Sequence, residues 1–311
     1  DVLHGTKWVV NLRSLLKSPS PAGDVCMTNR LPEWMIRLLI WMRRVGFYIL
    51  EPVDMLARWV TGKTDLPPLA LRAAAGPLSH LESSGAEFAA YVKLLCGLTP
   101  RARVLDIGCG FSLIALHLKN YLKPPGAYVG LDVNRGFIRW AQAHLSRKHP
   151  NLHFVHVDVK NTAYNPRGRL SAASVRLPFD DGSFDCILLK SVFTHMRPLE
   201  VSNYVREISR LLAPGGVCLA TFFLLDPLKQ TSVLRKTSDL QFEFGDEIWR
   251  FSWRALPELA VAYREDHVVA MLEDVRLRVN AVHQGTWCGK EGGLSYQDLV
   301  LATKVDESSC C

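Results

Sequence analysis

The chain has 311 residues, 48% of them apolar and 22% charged, which suits a globular protein with one large domain and argues against a disordered chain. Its formal net charge is +7, but the basic residues are scattered, so there is no strong signal for nucleic-acid binding. Eight cysteines show neither Cys-x-x-Cys spacing nor nearby histidine pairs, which argues against zinc and favours a reducing, cytoplasmic compartment.

Residues 32–60 form the first patterned segment, a dense apolar run that contains Trp34 and Trp41 and is interrupted by arginines. The run is too short and too charged to cross a bilayer, which requires ~20 apolar residues. Two interpretations stay open: a helix that lies in a membrane interface as a peripheral contact, or a helix that packs on the rest of the chain or in a homodimer. The segment belongs to an N-terminal extension over residues 1–85.

Strands and helices then alternate over a domain that spans residues 86–305. Apolar runs and helical spacing of apolar residues predict the elements: strands over 102–106, 127–132, 153–157, 184–189, 217–224, 276–283 and 297–304, and helices over 87–96, 112–122 and 134–147. Two insertions interrupt the pattern, over 160–176 and 226–265, and we expect the second, an irregular aromatic stretch, to cap a substrate site. Residues 306–311 are a predicted disordered tail whose Cys310-Cys311 pair resembles one that is prenylated in some proteins.

The turn after the first strand carries a candidate ligand site. The strand ends at Asp106, and Gly108-Cys109-Gly110 follows directly before a helix. Glycines at a strand-to-helix turn let a ligand approach the backbone closely, because no Cβ stands in the way. The second strand ends at Asp132, where a carboxylate can accept hydrogen bonds from ribose hydroxyls. These residues predict a nucleoside site.

Two kinds of nucleoside fit such a turn. A dinucleotide site favours a third glycine, and Leu113 occupies that position here. The pattern Asp106-x-Gly108-x-Gly110 instead resembles motif I of the class I S-adenosylmethionine-dependent methyltransferases. A carboxylate beside the ligand suits a cationic sulfonium and would repel a pyrophosphate. The sequence therefore favours the methyltransferase interpretation.

Two later motifs carry the same resemblance. Residues 177–185 are similar to the Leu-Pro-Phe-x-x-x-Ser-Phe-Asp segment that leads into the fourth strand of this family, and Pro214-Gly215-Gly216 matches the turn before its fifth strand. The resemblance covers residues 88–224. It implies an α/β fold with a seven-stranded, mostly parallel Rossmann-like sheet whose last strand is antiparallel, with helices on both faces. It also implies S-adenosylmethionine as cofactor and S-adenosylhomocysteine as product.

The resemblance further suggests which residues surround the cofactor. Asp106 would support the turn and the amino end of methionine, and Asp158-Val159 or, because of the insertion, Ala173-Ser174 would face adenine. A segment before the first strand commonly covers the cofactor in this family, and Ser84 and Gly85 lie there. The cofactor-binding residues implied in this way are Asp106, Gly108, Cys109, Gly110, Asp132, Val133, Asp158, Val159, Lys190 and Ser191.

His195 is the candidate general base. It lies in the loop after the fourth strand, where the acceptor meets the cofactor in this family, and imidazole titrates near neutral pH. The alternative is that His195 caps the following helix or bonds a backbone carbonyl.

Several absent motifs narrow the reaction further. No Asn/Asp-Pro-Pro-aromatic quartet, Pro-Cys nucleophile or acidic pair for Mg²⁺ follows the fourth strand. What remains is metal-independent transfer of a methyl group to an oxygen atom of a small-molecule, sugar or lipid-linked acceptor, with nitrogen, sulfur and carbon as the other acceptor atoms left open. The alternatives are an RNA or protein methyltransferase, or a catalytically silent, membrane-associated scaffold.

Overall fold

The computed structural model describes residues 33–74, 81–162, 164–226, 240–289 and 291–306. The expectation for Cys310-Cys311 lies outside the described residues. Three helices precede the first strand: α1 (Glu33–Val60), α2 (Leu69–Ala74) and α3 (Leu81–Leu95).

A seven-stranded sheet follows, with helices between its strands. Its elements are β1 (Arg103–Ile107), α4 (Leu113–Leu118), β2 (Ala127–Asp132), α5 (Arg135–Ala141), β3 (Leu152–His156), β4 (Phe184–Leu189), α6 (Pro198–Leu211), β5 (Leu212–Phe222), α7 (Glu265–Glu273), β10 (Leu277–His283) and β11 (Asp298–Lys304). The strand order is β10-β11-β5-β4-β1-β2-β3. Strands β1 to β5 pair in parallel, and β11 is antiparallel to both neighbours. The predicted fold class is confirmed.

Alternating side chains of the strands build a core on each face of the sheet. In β1, Leu105 and Ile107 belong to the core that includes Val205 and Ile208 of α6, while Val104 belongs to the core that includes Ile114 of α4. Because both faces are buried, the strands are apolar almost throughout, as is usual for parallel strands. The carboxyl ends of β1, β2 and β4 therefore meet at one edge of a sheet that is covered on both sides.

Helix α3 starts six residues before the predicted 87–96. The Ser83-Ser84-Gly85 stretch, which lies before the predicted helix, is helical. The reason is tight packing on α4: a Cβ added at Gly85 would lie 2.7 Å from the Cβ of Leu113, so glycine allows the two helices to approach closely. The predicted helix 112–122 is also shorter than expected and ends at Leu118.

The described part of the second insertion is less irregular than expected. It contributes β7 (Phe244–Gly245), β8 (Trp249–Phe251) and β9 (Val261–Arg264) to a small second sheet. With β6 (Leu224–Leu225), the order of this sheet is β6-β9-β8-β7. A separate aromatic core, which includes Phe223, Phe242 and Trp287, packs beside it.

Asp298 connects the main sheet to β6 of the second sheet and to the segment before β11. Its side chain is fully buried. One oxygen, Oδ2, accepts from the backbone N–H of Leu224 and from Nε1–H of Trp287, both at 2.7 Å, and Oδ1 accepts from the backbone N–H of Gly285 at 2.7 Å. A buried carboxylate with several donors is stable only while those bonds persist.

We expect Asp298→Ala to lower the free energy of unfolding by about 3 kcal/mol, because three buried donors lose their acceptor. Denaturant unfolding of both proteins measures the difference. Asp246→Ala is the matched control: that carboxylate also accepts two backbone N–H bonds in the insertion, from Ile248 and Trp249, but it is exposed. Equal losses in the two variants would contradict the role assigned to burial.

Candidate active site

Two adjoining cavities open where β1, β2 and β4 end. The α3 cavity, bounded by Ser84 and Phe88 of α3, has a volume of about 510 Å³. The His195 cavity, which extends from Asp132 to His195, has a volume of about 430 Å³. Four residues line both cavities: Gly108, Gly110, Lys190 and Ser191. The predicted glycine turn and the loop after β4 therefore form the boundary between the two cavities.

Asp106 lies at the wall of the α3 cavity with one oxygen uncommitted. Its carboxylate is buried, and Oδ2 accepts a hydrogen bond from the hydroxyl of Tyr128. Oδ1 is buried and has no hydrogen-bond partner among the described residues. Burial raises the pKa of Asp106 to about 7. A buried, unsatisfied carboxylate oxygen beside a cavity suits a cationic ligand, so this residue fits the amino end of S-adenosylmethionine.

Asp132 organises the glycine turn. Its Oδ2 accepts from the backbone N–H of Gly110 at 2.8 Å, and its Oδ1 accepts from the backbone N–H of Asn134 at 2.6 Å. Burial raises the pKa of Asp132 to about 6. The structure places Asp132 and its neighbour Val133 on the wall of the His195 cavity, where free lone pairs of the carboxylate can accept hydroxyl hydrogens.

The glycine of the turn nearest to β4 has no room for a side chain. Gly108 has a φ of 75°, and a Cβ there would lie 2.4 Å from Cγ2 of Val192. Cys109 lies between the two glycines and lines the α3 cavity. Burial raises the pKa of the Cys109 thiol well above its ordinary value, so the thiol is protonated and is not a nucleophile at neutral pH.

Lys190 and Ser191 follow β4 directly. The Lys190 ammonium donates to the hydroxyl of Ser84 and lies 4.7 Å from the centroid of the Phe88 ring. Ser191 has a φ of 56°, and its hydroxyl donates to Oε1 of Gln297 at 2.9 Å. The loop after β4 is thus held by residues from α3 and from the segment before β11.

His195 lies in a 3₁₀ turn, Phe193–His195. Its Nδ1 is 2.8 Å from the backbone oxygen of Glu258. A carbonyl oxygen only accepts, so Nδ1 carries the hydrogen and Nε2 of the neutral ring is an acceptor. Burial lowers the pKa of His195, which keeps the ring neutral. The ring of Tyr164 packs edge-on at 5.6 Å.

The structure places the two residues of the Asp158-Val159 pair, one of the two pairs predicted to face adenine, in different surroundings. Val159 and Ala172 line the His195 cavity. The carboxylate of Asp158, in contrast, accepts from Nε of Arg169 at 2.8 Å and from the side-chain amide of Asn165 at 3.2 Å. The Arg169 hydrogen bond lowers the pKa of Asp158. Both partners come from the insertion, and Asp158 is not among the described residues that line the cavity.

Other lining residues were not singled out from the sequence. Glu200 and Tyr204 of α6 line the His195 cavity, and Gln297 lines the α3 cavity. The two α6 residues are four positions apart at the start of a helix that follows the sheet edge, a spacing that places them on one face. Gln297 had no local signal, because it is 106 positions from its partner Ser191. In the described ranges, no group of three or more His, Cys, Asp or Glu side chains is placed to hold a metal ion.

Comparison with known proteins identifies a methyltransferase domain within the chain. Residues 105–220 match the family model of a methyltransferase domain. Over 121 residues, the chain is 37% identical to phthiotriol/phenolphthiotriol dimycocerosates methyltransferase 1 of Mycobacterium ulcerans, covering 38% of this chain and 36% of that protein. Over 156 residues, it is 28% identical to sterol 24-C-methyltransferase ERG6B of Gibberella zeae, covering 49% of this chain and 36% of that protein.

The chain thus spans about a third of the length of these curated relatives. The solved structure of a candidate O-methyltransferase from Nostoc punctiforme has a TM-score of 0.50 at 15% identity, covering 76% of this chain and 60% of that one, which indicates a shared fold. Residues 105–220 of the chain thus carry a methyltransferase domain, and its similarity is to methyltransferases that use S-adenosylmethionine as cofactor.

Proposed function

We propose that this chain transfers a methyl group from S-adenosylmethionine to an oxygen of a small-molecule, sugar or lipid-linked acceptor, with His195 as general base. The observation that carries the proposal is the orientation of His195. The bond from Nδ1–H to the Glu258 carbonyl leaves Nε2 as a proton acceptor in the cavity that also contains Asp132. A cofactor held by Asp132 and an acceptor beside His195 would share that cavity.

His195 and the walls of the cavity have different roles in the proposed reaction. When bound, S-adenosylmethionine supplies a methyl group on a cationic sulfur. His195 would take the proton of the acceptor hydroxyl at Nε2 as that oxygen receives the methyl group, and the electron pair of the broken carbon–sulfur bond would stay on sulfur, which leaves S-adenosylhomocysteine as the product. The walls of the cavity orient the two reactants and exclude water, which accounts for much of the acceleration in such displacements.

The identity of the acceptor is tested with radiolabelled S-adenosylmethionine, purified protein and host-cell extract. We expect label in the lipid fraction, because the names of the two relatives specify a dimycocerosate and a sterol as their substrates. Label in the soluble fraction would indicate a polar metabolite instead. Label in RNA or protein would overturn the small-molecule proposal. Absence of label in every fraction, with cofactor binding demonstrated, would favour a silent scaffold.

A second proposal concerns helix α1, which has a continuous apolar face. In the described part of the chain, no helix is both long and apolar enough to cross a membrane. Exposed side chains nevertheless recur every three or four positions and so lie along one face of α1: Trp34, Leu38, Trp41, Val45, Tyr48, Ile49, Leu56 and Trp59, all between 37% and 74% exposed. An apolar face of this extent on a surface helix indicates an interaction site.

The opposite face of α1 is charged and packs on α2. Arg58 forms ion pairs with Glu51 and Asp54, both at 2.7 Å. Asp54 also pairs with Arg72 of α2, and Glu51 accepts from the backbone N–H of Leu69 at 2.6 Å. These contacts fix which face of the C-terminal half of the helix points outward.

The segment after α1 is attached to the methyltransferase domain through Asp65. Its carboxylate accepts from Lys119 at 3.1 Å and from Lys148 at 2.6 Å. These hydrogen bonds lower the pKa of Asp65, so the attachment persists at neutral and mildly acidic pH. Through Asp65, helix α1 therefore has a defined connection to the domain that contains the active site.

We propose that the apolar face of α1 lies in a membrane interface, as a peripheral contact on the cytoplasmic side. Trp34, Trp41, Tyr48 and Trp59 all lie on this face, and tryptophan and tyrosine favour the region between lipid headgroups and acyl chains. Pairing with a second copy as a coiled coil is less favoured, because the core positions of a coiled coil take Leu, Ile and Val, and Pro52 lies inside the helix, where it removes a backbone hydrogen bond.

Binding to phosphatidylcholine–phosphatidylglycerol vesicles tests this contact by co-sedimentation. We expect the triple variant Trp34→Ser/Trp41→Ser/Trp59→Ser to bind at least about tenfold more weakly than the wild type, because each buried aromatic side chain contributes on the order of 1 kcal/mol or more. The matched control is Leu94→Ser/Leu199→Ser, which removes exposed apolar side chains elsewhere, 79% and 75% exposed. Equal binding by both variants, or a wild-type dimer that the triple variant loses, would overturn the proposal.

A further inference from the structure

Two side chains of α6 line the His195 cavity and have no part in the proton transfer at His195. Glu200 and Tyr204 are four positions apart on this helix, so they lie on one face of it, and both line the cavity that extends from Asp132 to His195. His195 itself lies in the 3₁₀ turn that precedes α6. One short stretch of chain thus supplies the cavity with an imidazole, a carboxylate and a phenol.

Glu200 has one carboxylate oxygen that is not used within the protein. Its Oε2 accepts the backbone N–H of Arg197 at 2.8 Å, as part of the cap of α6. No residue in the described ranges forms a hydrogen bond to Oε1. Burial, together with the nearby charge of Glu258, raises the pKa of Glu200. The first oxygen therefore fixes the side chain at the start of the helix, and the second is an acceptor that a ligand can use.

Tyr204 is the more deeply buried of the two side chains. Only 4% of its surface is exposed, yet its hydroxyl has no hydrogen-bond partner among the residues that the structure describes. A buried phenol commonly donates its hydroxyl hydrogen to a partner, because desolvation without one is unfavourable. Burial and the nearby charge of Glu200 raise the pKa of Tyr204, so the hydroxyl stays protonated and can donate. The hydroxyl therefore offers the cavity a donor beside the acceptor oxygen of Glu200.

A hydroxyl group of a ligand complements this pair of side chains. It can donate its hydrogen to Oε1 of Glu200 and accept the hydrogen of the Tyr204 hydroxyl. A carbonyl oxygen could use only the tyrosine, and an ammonium group could use only the glutamate. Much of the remaining lining is apolar and includes Val159, Ala172 and Met196. In such surroundings a small number of polar contacts decides the orientation of a ligand.

We propose that Glu200 and Tyr204 form a hydroxyl site, which binds a second hydroxyl of the acceptor while His195 takes the proton of the hydroxyl that is methylated. This assignment rests on the proposed function and narrows it: the acceptor is an alcohol with at least two hydroxyl groups, such as a diol or a sugar. The two residues act by positioning, because hydrogen bonds to the second hydroxyl hold the reacting oxygen against His195.

Octane-1,2-diol and octan-1-ol test the assignment, because they differ by one hydroxyl group. Calorimetry measures the affinity of each alcohol for the protein saturated with S-adenosylhomocysteine. We expect the wild type to bind the diol at least about tenfold more tightly than octan-1-ol, the effect of one hydrogen bond to a charged group. Glu200→Gln, whose amide oxygen can keep the helix cap, and Tyr204→Phe should each remove most of this preference and change the affinity for octan-1-ol by less than about twofold.

Ser202→Ala is the matched control on the same helix. The Ser202 hydroxyl accepts from Arg206 at 3.1 Å, and Ser202 is not among the described residues that line the cavity, so this variant should keep the wild-type preference for the diol. Equal binding of the two alcohols by the wild type, or binding of neither, would overturn the hydroxyl site. If Glu200→Gln and Tyr204→Phe weaken S-adenosylhomocysteine as much as the diol, the two residues contact the cofactor and the assignment is wrong. Binding as expected without methyl transfer to any fraction of extract would refute the proposed function and leave the hydroxyl site intact.

Discussion

Asp132→Ala is expected to weaken binding of S-adenosylhomocysteine by about 100-fold or more. The carboxylate has two roles: it accepts the backbone N–H of Gly110 and of Asn134, and its remaining lone pairs face the His195 cavity, where a ribose would lie. Hydrogen bonds to a charged group contribute about 1.5–3 kcal/mol each, so the loss of two corresponds to at least about 3 kcal/mol. Isothermal titration calorimetry with S-adenosylhomocysteine measures the change directly.

A matched pair of variants separates this effect from a general loss of acidic charge. Asp132→Asn keeps one acceptor oxygen and should fall between the wild type and the alanine variant. Asp181→Ala removes a carboxylate that is 68% exposed and pairs with Arg210, at the end of β4 opposite the cavities. We expect its affinity for S-adenosylhomocysteine to stay within about twofold of the wild type. Unchanged affinity in Asp132→Ala would show that the nucleoside binds elsewhere.

The sheet and the glycine turn could be predicted from the sequence because their signals are local. The predicted strand 127–132 coincides with β2, and Asp132 is its last residue. A buried parallel strand must be apolar along its length, and a carboxylate at its end is therefore conspicuous. In the same way, the positive φ of Gly108 and the closeness of Val192 explain why that position is glycine.

The surroundings of the cavities could not be predicted, because they depend on contacts between distant segments. By resemblance, Asp158-Val159 is one of two pairs expected to face adenine, and nothing in the sequence indicated that Arg169 of the insertion holds the Asp158 carboxylate. The carbonyl that orients His195 belongs to Glu258, which is 63 positions away. Every residue has a backbone carbonyl, so the residue type at position 258 does not indicate this contact. The tautomer of His195 therefore could not be predicted from the sequence. The insertions bring these groups together, and they are the parts that differ most from the family pattern.

His195→Ala is expected to lower kcat by about 100- to 10,000-fold, the range over which a positioned general base contributes, with the affinity for S-adenosylhomocysteine unchanged. The measurement uses whichever acceptor the labelling experiment identifies. His153→Gln is the matched control: it changes an exposed histidine on β3, and kcat should stay within about twofold of the wild type. His195→Gln should also be inactive, because its amide can hold the Glu258 carbonyl but cannot accept and release a proton at neutral pH.

The dependence of activity on pH separates a base from a structural histidine. Burial lowers the pKa of His195 from its ordinary value, so the neutral, competent ring predominates at pH 7, and wild-type activity should be flat above neutrality and fall on the acidic side. The same shift means that the contribution of neutral His195 to stability is fully present above pH 6.5 and is lost as the pH falls from there through the lower pKa of the folded state. Residual activity in His195→Gln should lack the acidic decline. If His195→Gln instead keeps this decline and most of the wild-type kcat, His195 is not the base. Its role would then be to support the 3₁₀ turn through its hydrogen bond to Glu258.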